Sequence, residues 1–271
     1  MPFSYDPGFR VGAHYEFTSD HWNASLIYSH FKQSVHNAVT GSDTLFLNNI
    51  LQPIAINPDT ISAKINESFQ TIDFVMGKKF SLNNPFSLYY YAGIKWARIK
   101  EAMDTISTGS INASPLVVDP ITTPFTFTNV SKAIGLMGGA EISFDLKKGI
   151  SLYSRGEIAL LQSKFNVSQQ QILEAPTLPG PIILNNTQTY KSIKPNFVLE
   201  LGLEWSKSFY CDRFSAGFNV GYELNYWPTQ LLPNQIIFLG DPTDPTNPFV
   251  MSQPTIDVGF TGFNFGAYVT F

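Results

Sequence analysis

The sequence predicts an all-β fold, a transmembrane antiparallel up-and-down β-barrel with nine strands in a single domain over residues 1–271. Three observations carry this: hydrophobic periodicity of two, alternating runs as long as 15 residues, and connections that alternate strictly between short and long. In 213–227, RFSAGFNVGYELNYW, one face takes Phe214, Ala216, Phe218, Val220, Tyr222, Leu224 and Tyr226. The other takes Ser215, Gly217, Asn219, Gly221, Glu223 and Asn225. Residues 193–207 repeat the pattern, with Phe197, Leu199, Leu201, Leu203 and Trp205 against Asn196, Glu200, Gly202 and Glu204. A soluble strand has about 5–6 residues. A long run with one continuous apolar face suits a strand facing lipid, which needs about 9–11 residues to cross the hydrocarbon.

Taken in order, the strands fall at 8–17, 22–31, 65–80, 86–101, 130–145, 150–166, 193–207, 213–227 and 255–271. Between them, 18–21, 81–85, 146–149 and 208–212 are short, whereas 32–64, 102–129, 167–192 and 228–254 are long. Barrels of the outer membrane show this asymmetry, with tight turns at the periplasmic rim and long loops outside. Thr18-Ser19-Asp20, Asn83-Asn84-Pro85 and Lys147-Lys148-Gly149 supply turn chemistry at the short ends. Most prolines fall in the long connections, and Asp241 to Pro248, with three prolines, cannot be strand interior. One run is irregular: Ile65 and Phe69 are out of phase with Ile72, Phe74 and Met76, which implies a bulge or a change of environment.

Composition narrows the function. Charged residues make up 14% and aromatics 14%, with a net charge of −4. A soluble domain carries about 25% charged residues, and a nucleic-acid surface needs a basic excess, so no nucleic-acid partner is expected. The one cysteine, Cys211, excludes an internal disulfide framework and a thiolate metal site. It falls in a short periplasmic turn, where a free thiol is expected. No secretory signal opens the chain at Met1, and nine strands place its two ends at opposite rims. Both points lead to the expectation of a ten-strand parent whose signal and first strand lie upstream.

The polar face should line the lumen. Alternation gives it Arg10, His14, Glu16, Asp73, Lys95, Glu141, Arg155, Glu157, Glu200, Glu204 and Glu223, of mixed sign with an acidic excess. Each of these is read either as a selectivity group or as an interior ion-pair partner. Trp22, Tyr28, Tyr90, Trp96, Trp205 and Tyr226 fall on the apolar face near strand ends, as interfacial girdles require. In the last strand Phe263, Phe265, Ala267, Val269 and Phe271 share the outward face. A terminal aromatic there resembles the signal read by the outer-membrane assembly machinery. No catalytic role, cofactor or metal is expected. No GxSxG, HExxH or phosphate loop is present, and His30 with Asp43 is the one weak candidate pair. Gly135 to Gly139 read as small residues packing against a neighbouring strand.

The segments PGFRVG (7–12), YAGIKWARI (91–99), 132–161 and above all 199–227 resemble the Legionella/Chlamydia-type major outer membrane protein family, which forms pores in the outer membranes of intracellular bacteria. The resemblance covers most of the chain outside the long connections and implies outer-membrane lipid around the barrel, a pore-forming role and exposed loops able to meet a host surface or a second copy. It begins at the family's second strand, in line with a missing first one. A single cysteine departs from the disulfide-linked envelope network of the cysteine-rich members. The functional expectation is a porin-like path for ions or small solutes in a Gram-negative outer membrane. The alternative is a structural or adhesive barrel with a closed lumen, acting through its surface loops.

Overall fold

The computed structural model describes residues 8–17, 22–40, 56–83, 85–114, 117–173, 180–209, 214–231, 235–238, 249–252 and 255–270. They contain strands β1 (Phe9–Glu16), β2 (Trp22–Thr40), β3 (Ile56–Asn83), β4 (Phe86–Ser114), β5 (Val117–Lys147), β6 (Ile150–Leu173), β7 (Ile182–Phe209), β8 (Phe214–Leu231), β9 (Gln235–Phe238), β10 (Phe249–Ser252) and β11 (Thr255–Thr270). Nine of them form one antiparallel up-and-down sheet in the order β1 to β8 and then β11, as the alternation predicts. β9 and β10 pair with each other as a separate short antiparallel pair inside 228–254, a segment the sequence predicts to be loop.

The sheet curls until its two ends face one another. Its edges, β1 and β11, share no backbone ladder, but side chains join the two ends across the interior. Arg10 of β1 reaches Glu223 of β8, and Phe31 of β2 meets Phe260 of β11 with ring centroids 5.7 Å apart. Within the band every long strand turns one continuous set of apolar residues outward. Ile72, Phe74 and Met76 of β3, Tyr90 and Ile94 of β4, Leu199, Leu201 and Leu203 of β7, and Phe263 and Phe265 of β11 are all exposed. On β4 the apolar band runs from Phe86 to Trp96. That is the length a tilted strand needs to cross about 25 Å of hydrocarbon.

The strands begin at the short turns where the sequence places them, but they extend far past the band at the other end. Segments 32–64, 102–129 and 167–192, expected as loops, are largely strand: β4 runs to Ser114 and β5 resumes at Val117. Lipid requires an apolar outer face only within the membrane. Beyond it, a Thr- and Phe-rich stretch such as 122–128 keeps the ladder through β-propensity and through inward packing of Phe125 and Phe127 with Phe165 and Val167. Proline is also less excluded from strands than expected. Pro120 and Pro124 pair with β4 in the part of β5 that outruns β6, whose pairing begins at Phe125. Among the described residues no strand pairs with the other side of β5 there, so a missing donor is tolerated. The Asp241 to Pro248 segment lies outside the described residues.

No bulge is found in 65–80. Register runs unbroken from Thr60 to Ser81 against β4. The out-of-phase Phe69 marks the other outcome, a change of environment: it points inward and is buried. Turn chemistry holds at Lys148-Gly149, where φ is 57° and 77°. Two consecutive positive φ values are those of a type I′ hairpin, and glycine adopts the second without steric cost.

Interior glycines seat tyrosines from the neighbouring strand. A Cβ on Gly139 would lie 2.6 Å from Tyr91 Oη and 2.7 Å from the Gly156 carbonyl, and one on Gly202 would lie 2.6 Å from Tyr153 Oη. Gly135 meets the β6 backbone at Leu160 and Leu161, so the small residues of 135–139 do pack against neighbours. Gly139→Val should therefore destabilise the barrel by about 1–3 kcal/mol through overpacking. Gly259→Val, with nothing within 4 Å of its Cβ, should leave it nearly unchanged. Urea unfolding of the micelle-folded protein, followed by loss of its compact electrophoretic form, checks both.

Candidate functional site: the charged interior layer

The inward residues of the band are those of the opposite parity, and all eleven candidate lumen residues have it. The structure draws seven of them, Arg10, Asp73, Lys95, Glu141, Arg155, Glu157 and Glu223, around one cavity of about 100 Å³. Each comes from a strand that crosses the band, so the sheet register alone sets their relative heights. Lys95 projects from β4 with only 3% of its side chain exposed, bonds Glu157 Oε1 of β6, and lies 3.8 Å from Asp73 Oδ2 of β3. Its Nζ also donates to Asn196 Oδ1 of β7 at 3.2 Å. Arg155 of β6 donates to Glu200 Oε2 of β7 and lies 3.6 Å from Glu223 Oε2 of β8. Arg10 closes the circuit from β1, 2.7 Å from the same Glu223 oxygen.

Tyrosines and amides complete the network. Tyr91 Oη donates to Glu157 at 3.3 Å and Tyr153 Oη to Glu200 at 2.7 Å. Asn264 of β11 donates to Glu223 at 2.9 Å. Three cations thus face the carboxylates of Asp73, Glu157, Glu200 and Glu223, with Glu141 also on the cavity wall. The acidic excess read from the sequence is present in the assembled layer. Two polar atoms of the layer, Asp73 Oδ1 and Arg155 Nε, are buried with no hydrogen-bond partner.

The remaining candidates lie apart. His14 sits on exposed β1 with its Nδ1 2.8 Å from Ser25 Oγ, and Glu16 is exposed at the end of the same strand. Glu204, nearer the short-turn rim of β7, accepts from Tyr268 Oη. His30 pairs in register with Gln70 and packs against Phe9 at 5.5 Å between ring centroids. Its candidate partner Asp43 lies outside the described residues, as do Cys211 and Phe271. Of the assembly-signal residues, Phe263, Phe265 and Ala267 face outward, and nothing is described of the Val269 side chain.

Sequence reasoning missed a second interior layer. Phe69, Ile99, Leu161 and Trp227 are all buried and belong to one apolar cluster, with Phe31 and Phe260 packed against it. Phe69 meets Trp227 edge-on at 5.6 Å and Phe260 at 4.9 Å. On four strands the apolar residue stands four positions from a charged one: Phe69 and Asp73, Ile99 and Lys95, Leu161 and Glu157, Trp227 and Glu223. At about 3.3 Å per residue the two layers are about 13 Å apart along the strands. The available signals were the phase slip at Phe69 and the position of Trp227 beside outward-facing Tyr226.

Apolar side chains that face out on every band-crossing strand, around an ion-paired interior, define an outer-membrane protein of the β-barrel class. The chain matches, over residues 1–271, the family model described as Legionella pneumophila major outer membrane protein precursor, and it belongs to the Legionella major outer membrane protein family. No curated protein and no solved structure matches it.

Removing one partner from a buried pair leaves an uncompensated charge, at a cost of about 3–5 kcal/mol. Lys95→Met should therefore lower stability by about that amount, and adding Glu157→Gln should recover part of the loss. Urea midpoints of the single and double variants measure the coupling.

Proposed function

We propose that the protein is a porin-like barrel that passes small ions through its interior, with a mild preference for cations. The observation that carries this reading is the charged layer, in which carboxylates outnumber cations around a polar cavity inside an apolar exterior. Asp73 Oδ1, buried and unpartnered, is an acceptor that a passing cation or water would satisfy. A barrel of this strand number is close to filled by its own side chains, so the path is narrow and a wide diffusion pore is excluded from the proposal. The constriction is the Phe69–Trp227–Phe260 layer, where an apolar neck controls entry by the ease of wetting. Solutes larger than hydrated ions would not pass it.

One observation favours the second reading, a structural or adhesive barrel with a closed lumen. Trp227 and Leu161 are 1% and 0% exposed, so the apolar layer is packed as a core is. In that case the function lies in the connections at the far end, toward a host surface or another copy. The outward Phe263 and Phe265 of β11 support recognition by the assembly machinery under either reading.

Single-channel recording in planar bilayers tests the proposal. Discrete steps are expected, with a cation preference that falls in Glu141→Gln and Glu204→Gln, neither of which unpairs a buried cation. Phe69→Ala should raise conductance severalfold by widening the neck. A folded protein that gives no steps, even as Phe69→Ala, would sink the transport reading and leave the adhesive one.

A further inference from the structure

Just beyond the apolar band, on the outward face, the cations stand in a row. Gln70, Arg98, Lys132, Lys164 and Lys191 are successive register partners across β3, β4, β5, β6 and β7. The row beneath them, Ile72, Trp96, Ile134, Gln162 and Ile193, is the last one on these strands that is mainly apolar, with Gln162 its one polar member. Arg98, Lys132, Lys164 and Lys191 therefore stand side by side where the membrane-facing surface turns polar. Lys100 lies one outward position further along β4, and Lys32 and Lys64 carry the outward set onto β2 and β3. From β2 to β7, among residues whose side chains are described, this outward region carries one carboxylate, Asp104, in register with Lys64. None of Arg98, Lys100, Lys132, Lys164 and Lys191 belongs to the ion pairs found among the described residues, whose carboxylates all face the interior.

Neighbouring strands are about 4.8 Å apart, and like charges directly opposite one another weaken a sheet. A row of four cations with no counter-charge is costly unless a ligand supplies one. A second observation points to such a ligand. Ser68, Gln70, Arg98 and Lys100 wall a small cleft on the outer surface between β3 and β4, and Arg98 Nε is buried without a hydrogen-bond partner. The row presents positive charge over about 14 Å, three strand spacings. That extent suits a headgroup with more than one phosphate better than a single small anion.

We propose that this row binds the phosphorylated sugar headgroup of the glycolipid in the outer leaflet, the lipid A moiety of lipopolysaccharide. The family places the chain in the outer membrane, and the row lies at the end away from the short turns, the outer rim. Its height, at the top of the apolar band, is that of a lipid headgroup. Arginine supplies a planar donor fork for a phosphate and the lysines supply point charges along the row. The site does not depend on whether the lumen conducts.

The test uses the full chain folded in non-ionic detergent and titrated with bisphosphorylated lipid A, with bound lipid counted by native mass spectrometry. A surface cation is worth about a fivefold change in affinity for an anionic lipid, so Lys132→Gln with Lys164→Gln and Lys191→Gln should weaken binding by about a hundredfold. Lys164→Gln alone should cost about fivefold. Lys78→Gln, a cation set against Trp22 and Phe80 elsewhere in the band, should change nothing. Dephosphorylated lipid should bind no better to the native protein than to the triple variant. Equal binding by the triple variant and the native protein would overturn the proposal, as would full retention of the dephosphorylated lipid. Displacement of the lipid by an equal concentration of inorganic phosphate would also overturn it, by assigning the row to a free anion. The compact, heat-sensitive electrophoretic form confirms that each variant is folded.

Discussion

The structure depends on the pairing of Lys95 with Glu157 and Asp73. A strand that presents its apolar side chains to lipid must put whatever remains on the inside, and alternation gives it no third choice. In a barrel this small the inside is not bulk water, so each charge placed there needs a partner on another strand. Lys95 finds carboxylates on β3 and β6, Arg155 finds them on β7 and β8, and Arg10 brings β1 to β8. Lys95–Asp73 and Arg155–Glu200 are register partners on neighbouring strands, whereas Lys95–Glu157, Arg155–Glu223 and Arg10–Glu223 reach across the interior to strands that share no backbone ladder. They do what the ladder does not: β1 and β11 are unpaired edges, yet Arg10, Glu223 and Asn264 hold both ends of the sheet to one carboxylate.

Two layers divide the labour inside. Buried ion pairs seldom add net stability, because desolvation offsets their attraction, but they penalise every arrangement that leaves a charge alone. Slipping one strand by a single residue would turn its charges into lipid and its leucines inward. The charged layer thus selects the register, while the layer built on Phe69, Ile99, Leu161 and Trp227 supplies favourable apolar burial. Tyr91 over Gly139 and Tyr153 over Gly202 fix the same register by shape, since the seat exists only where a glycine faces the ring.

Much of this was legible in the sequence, and the failures have a common cause. Period-two alternation located the membrane-crossing part of each strand, and the eleven candidate lumen residues all have the parity opposite to its outward apolar set. It did so because lipid enforces the pattern over most of the band. Outside the band the outer face is free to be polar, so strands such as 117–129 lack the continuous apolar outward face and, with their prolines, read as loops. The inner face is free to be apolar at any height, so Phe69 and Trp227 break the rule that the interior is polar. Which charges meet was not legible at all. Lys95 and Glu157 lie 62 residues apart, and only the curvature of the sheet brings them together.

The distribution of charge is more informative than its sum. The net charge of −4 suggests an unremarkable acidic protein. Alternation sorts that total onto two surfaces of opposite character. Glu141, Glu157, Glu200 and Glu223 turn inward, whereas Arg98, Lys132, Lys164 and Lys191 turn outward and stand beyond the last mainly apolar row. Interior pairing cannot account for the outward set, because those side chains never reach the interior carboxylates. Solubility cannot account for it either, since scattered charges of both signs would serve that end better than four cations in one ladder row. A membrane protein meets two environments that a soluble one does not, hydrocarbon and the charged layer above it. The outward face of β4 to β7 changes character where the first gives way to the second.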